Sequence, residues 1–123
     1  MPGLAAVDRA CAWLLLVGAA LHSYGALTLH PVGSEIQVWA LSGSLAAALI
    51  AVLNLVRAQR PLDITLAWIT FTASLGWVAV ALGFGVSIGH LVDLRVIGHA
   101  VAAAMLAAFS LRSIRSQRTV HQT

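Results

Sequence analysis

Long apolar runs broken by short polar turns dominate the chain: residues 7–28, 35–58, 63–85 and 90–112 consist mainly of Ala, Leu, Val, Ile and Gly. A helix needs about 20 such residues to cross the hydrocarbon of a bilayer, and all four runs supply them. The intervening turns are a few residues long, so consecutive helices must lie side by side and antiparallel. The pattern therefore predicts an all-α integral membrane protein. It is expected to form a single domain over residues 1–123, an up-down four-helix bundle, with a polar tail at 113–123 that frays. Local signals agree with these boundaries. Ser34 and Gln37 have the spacing of a capping box behind Pro31 and Gly33, and Asp63 after Pro61 suits the N-cap of the third helix.

Composition turns this from a pattern into a class. With 60% of the residues apolar and 9% charged, the chain lacks the polar groups that a soluble domain must put on its surface. All seven basic residues are arginine. They are scattered between apolar runs and form no basic face interleaved with aromatics, which excludes nucleic acid as a partner despite a pI near 10.6. Their placement is topological. Arg9 precedes the first run, Arg57 and Arg60 lie between the second and third, and Arg112, Arg115 and Arg118 follow the fourth, whereas the turns at 29–34 and 86–89 carry none. The positive-inside rule then places both termini in the cytoplasm, with Arg95 the one exception. Arg9 ahead of an apolar stretch has the layout of a signal peptide, but no small-x-small cleavage site follows a short core, so the first run is expected to remain as a span. Abundant alanine without lysine points to a GC-rich bacterial genome, and hence to the inner membrane. Cys11 is the only cysteine, which leaves no intramolecular disulfide and no cysteine-cluster metal site.

Projection at about 100° per residue collects small side chains into a stripe on each helix. The first holds Cys11, Gly18, His22 and Gly25, the second Trp39, Gly43, Ala47 and Asn54, the third Thr65, Thr72, Gly76 and Gly83, and the fourth Gly98 and Ala102 beside Arg95 and His99. Small stripes let membrane helices approach closely, so these faces are expected to pack within the bundle or between copies of it. Trp13, Trp39 and Trp68 lie near segment ends and suit an aromatic belt, while Trp77 is deep enough to pack between helices.

Ionisable groups are costly in hydrocarbon and tend to mark functional sites. With the termini inside, His22, His30, Glu35, His90, Asp93, Arg95 and His99 all fall in the outer half. His22 lies roughly 9 Å and His99 roughly 13 Å from the outer ends of their helices, a similar depth on two small stripes. Three readings follow. His22 and His99 could be paired axial ligands of haem b; they could bind a transition metal such as copper or zinc with His90, Asp93 or Glu35; or Arg95 and His99 could line a pocket for a quinone, a lipid headgroup or another anion. Projection divides these groups, because His90 and Asp93 share one face of the fourth run and Arg95 and His99 nearly the opposite one. Each also has a structural role available: His30 and His90 as solvent-exposed turn residues, Asp93 at a helix N-terminus, Arg95 reaching outward to phosphates, and His22 and His99 as neutral hydrogen-bonding groups.

The sequence contains no nucleophile–base pair, phosphate loop or zincin spacing to support an enzyme. Size and span count resemble the small multidrug-resistance transporters. Their proton coupling depends on a glutamate deep in the first helix, where this chain has only Asp8 at the edge, so the likeness stops at size. The expected function is that of a small membrane subunit or accessory protein that contacts the lipid bilayer and packs with itself or a larger membrane complex. A haem- or metal-binding redox component is the alternative, and a small transporter or quinone/lipid-binding protein the third reading.

Overall fold

A computed structural model describes residues 2–120, with side chains from 3 to 117, so that Arg118 of the topology argument lies outside the described side chains. The described chain is four helices: α1 (Pro2–Leu29), α2 (Glu35–Gln59), α3 (Ile64–Ser87) and α4 (Leu94–Val120). All four are long and apolar enough to cross a membrane. α1 packs along α2, α3 along α4, and α1 closes against α4; α2 and α3 make the weakest contact between neighbours, α2 and α4 barely meet across the bundle, and no backbone contact joins α1 to α3 among the described residues. This is an up-down ring. The termini and the turn at 60–63 share one end, the terminal end; the turns at 30–34 and 88–93 share the other, the loop end.

The caps expected from sequence form. Ser34 Oγ accepts a hydrogen bond from Gln37 N–H at 3.3 Å, and Gln37 Oε1 accepts from Gly33 N–H at 2.9 Å. The buried Gln37 amide also donates to the carbonyls of Ala26 and His30, which ties the α1–α2 turn to both helices. Asp63 caps α3 through Leu66 N–H at 2.9 Å.

Two boundaries differ from the sequence reading. α4 begins at Leu94 rather than at residue 90, because Gly89 takes a left-handed φ of +71° and Asp93 stops the turn by capping the helix. Its carboxylate accepts from Arg95 N–H at 2.8 Å and its carbonyl accepts from Ile97 N–H at 2.9 Å. α4 also runs on to Val120 instead of fraying at 113. Ile114 is buried there, and Gln117 donates its side-chain amide to the Pro61 carbonyl at 2.9 Å, which holds the last turns against the 60–63 turn.

The core is built of small residues: Ala12, Leu15, Ala19, Ala47, Ala51, Ala102 and Leu106 form one buried cluster. Alanine at these places lets backbones approach, and van der Waals contact does the work that hydrophobic exclusion does in water. The third helix departs from expectation. Thr65, Thr72, Gly76 and Gly83 face outward, and α3 instead buries Ala67, Thr70, Ser74, Ala81 and Gly85. Thr70 and Ser74 find partners on other helices, whereas Thr72 is satisfied on its own helix by the Trp68 carbonyl at 3.0 Å and loses nothing by facing out.

Candidate functional site

Polar groups gather in two layers. The one nearer the loop end is centred on His99 of α4. Trp77 Nε1–H of α3 donates to His99 Nδ1 at 3.2 Å. An Nδ1 that accepts carries no proton, so the neutral ring holds its hydrogen on Nε2. That edge lies against α1 at Gly18, within hydrogen-bonding reach of its backbone, and a Cβ on Gly18 would stand only 3.0 Å from Nε2. The far edge of the Trp77 ring reaches α2, where a Cβ on Gly43 would lie 4.0 Å from Cη2. Gly43, Trp77, His99 and Gly18 thus form a layer across all four helices, in which two glycines make room for two rings. Trp77 packs between helices as its depth suggested.

His22 is half-buried one turn from Gly18 on α1 and takes part in no hydrogen bond among the described residues. It lies within electrostatic reach of Arg95, His30 and His99. The other expected ligands sit elsewhere. His90 is exposed in the 88–93 turn and shares no helix face with Asp93, whose carboxylate is engaged by Arg95. Arg95 Nε and Nη2 donate to the two Asp93 oxygens at 2.9 and 2.8 Å, and its guanidinium carbon lies 5.8 Å from the centre of the Phe84 ring. The fork that an anionic ligand would need is thus filled from within the chain. Hydrogen bonds from the Arg95 side chain and then its backbone N–H hold the Asp93 carboxyl down at about 2. Among the described residues no three of His, Cys, Asp and Glu converge as a metal site would require.

The second layer, at the terminal end, is the part that sequence reasoning missed. Arg57 of α2 is buried and paired with Asp8 of α1, Nη2 to Oδ1 at 2.5 Å. Its Nε donates to Asn54 Oδ1 at 3.3 Å and its Nη1 to Ser113 Oγ of α4 at 3.4 Å. Asn54 donates to Ser74 Oγ of α3 at 3.1 Å and accepts from Ser110 Oγ of α4 at 3.4 Å, while Ser110 and Thr70 share a hydrogen bond of 2.9 Å. Seven side chains from four helices form one connected network, buried except at the half-buried Ser113. No buried side-chain nitrogen or oxygen among the described residues lacks a partner. Arg57 served in the sequence only as a topology marker and Asn54 as a stripe residue. The available signal was the helical spacing of Asn54 with Arg57, Thr70 with Ser74, and Ser110 with Ser113, all toward the same end.

The polar network and both nitrogens of His99 are engaged within the protein, and the Arg95 fork at the exposed rim is filled by Asp93. No family model, no curated protein and no solved structure matches this chain.

Proposed function

We propose that this chain is a small, non-enzymatic integral-membrane subunit or accessory protein of the bacterial inner membrane that packs with copies of itself or within a larger membrane complex. Both termini face the cytoplasm in this reading, since the exposed arginines Arg9, Arg60, Arg112 and Arg115 collect at the terminal end. The observation that carries the reading is the outward face of α3. Thr72 and Gly76, four residues apart, have the small-x-x-x-small spacing of close-packing membrane helices, Gly83 continues the face, and nothing lies within 4 Å of a Cβ at Gly76 or Gly83. The bundle leaves this surface uncovered although it is better suited to a helix than to lipid. The test is the molar mass of the full chain in mild detergent by light scattering. The wild type is expected as an oligomer, or as a monomer that co-purifies with a defined membrane complex, and Gly76→Leu with Gly83→Leu should abolish the association at unchanged helix content. A wild type that is monomeric and solitary in both detergent and nanodiscs overturns the reading.

One observation favours a second reading, in which His22 and His99 hold haem b or a transition metal: the His22 imidazole has no hydrogen-bond partner among the described residues and lies close enough to His99 for the two to interact electrostatically. His99 would have to release Trp77 or Gly18 to free a nitrogen. A Soret band, or stoichiometric metal, that is lost in His22→Ala would establish this reading; a colourless, metal-free protein from haem- and metal-supplemented cells would eliminate it.

A further inference from the structure

The arginines of the terminal end do not share one fate. Arg57 is buried in an ion pair, and Arg9 Nε donates to the Ala5 carbonyl at 3.2 Å. Arg112 and Arg115, one turn apart on the exposed face of α4, take part in no ion pair or hydrogen bond among the described residues. With Ser116, Leu111 and Ala108 of the same helix they line a shallow, open surface depression. Ala104, one turn further on, is exposed on the same face, so the track stays shallow and apolar. The depression lies toward the terminal end of α4, the end at which the exposed arginines Arg9, Arg60, Arg112 and Arg115 collect, as is expected of groups at the headgroup level of a bilayer. Two like charges at this spacing repel each other, and an anion bound between them relieves that repulsion.

We propose that Arg112 and Arg115 hold the headgroup phosphate of an anionic glycerophospholipid whose acyl chain lies along Leu111, Ala108 and Ala104. Charge complementarity selects an anion and the apolar track selects one with a chain attached. A soluble phosphate would gain nothing from the track, and a zwitterionic lipid offers no net charge to the pair. Bidentate guanidinium donation suits a phosphate with two free oxygens. This inference is independent of the α3 face, which lies on another helix.

The experiment is native mass spectrometry of the full chain, delipidated and then titrated with phosphatidylglycerol, phosphatidylcholine or inorganic phosphate. Phosphatidylglycerol should be retained preferentially, and retention should fall roughly fivefold for each of Arg112→Ala and Arg115→Ala and roughly thirtyfold for both, from the attraction of about one surface arginine each. Arg9→Ala should leave retention unchanged, and the Lys variants at 112 and 115 should restore most of it, which separates charge from folding. Equal retention of phosphatidylcholine, equal loss in Arg9→Ala, or displacement of lipid by millimolar inorganic phosphate would each overturn the proposal.

Discussion

The described residues contain two Asp–Arg pairs, one at each end, and they are worth very different amounts. Asp8 and Arg57 join two helices with side chains 10% and 3% exposed, while Asp93 and Arg95 are two residues apart at the rim, 21% and 64% exposed. Removing one partner of a buried pair leaves an uncompensated charge where water cannot reach it, at a cost of roughly 3–5 kcal/mol. Removing one partner of an exposed pair costs about 0–1 kcal/mol, because solvent replaces it. The difference extends to whole layers. The terminal end is held by side-chain hydrogen bonds between helices, the loop end by close packing, caps and a single ring-to-ring hydrogen bond. Identical functional groups therefore act as a fastening at one end and as local trim at the other.

The largest expected effect lies in the buried pair. Arg57→Ala or Asp8→Ala should lower stability by roughly 3–5 kcal/mol in SDS or thermal unfolding in micelles, and Asp8→Leu combined with Arg57→Met should be less damaging than either charge left alone. Single and double variants of equal, small effect would put both ends on the same footing. Next comes packing at the loop end. A Cβ on Gly85 would stand 2.9 Å from Val96 Cγ1 and 3.1 Å from Leu91 Cδ2, so Gly85→Ala should cost about 1–3 kcal/mol in the same assay by pushing α3 from α4. Trp77→Phe keeps the ring and removes the donor to His99. About 0.6 kcal/mol is expected, typical of a hydrogen bond between membrane helices, with a change in indole fluorescence limited to the loss of that one chromophore.

The smallest effect belongs to the rim. Asp93→Asn should leave stability close to that of the wild type, because solvent replaces the lost partner, and the pair's pH dependence has a definite sign. Because Arg95 holds the folded carboxyl at about 2 against an ordinary value of 3.8, the pair contributes in full above pH 3.8 and is lost as pH falls through about 2. An acid titration of the wild type followed by NMR of the Asp93 carboxyl should find that midpoint near 2, and a midpoint near 4 would mean that the pair does not form in solution.

The fold was legible because its signals are strong and redundant. Four apolar runs, a capping Ser34 with Gln37 and a capping Asp63 all point the same way. The start of α4 was not legible from hydropathy. Leu91 and Val92 are as apolar as the residues after them, and only the backbone of Gly89 and the cap at Asp93 exclude them from the helix. The face of α3 was ambiguous because the helix carries two small-residue faces, and the choice is made by partners for Thr70 and Ser74 on other helices, which one chain's periodicity does not contain. His99 was recognised as an inward group, and the sequence put Trp77 between helices; their contact needed coordinates. The buried network escaped for a related reason. Arginine near the end of a span reads as a topology marker, and whether it faces water or Asp8 depends on how two helices pack.

The proposed association rests on an interior whose polar groups are engaged among the described residues and on partner helices that would dock outside it, on α3. Disulfide cross-linking in native membranes, with Cys11→Ser as background, tests this most directly by comparing Gly76→Cys on the uncovered face with Ala81→Cys on the buried face of the same helix. A cross-linked species from Gly76→Cys and none from Ala81→Cys is predicted. Cross-linking from Ala81→Cys, or none from Gly76→Cys to any protein, would contradict the account.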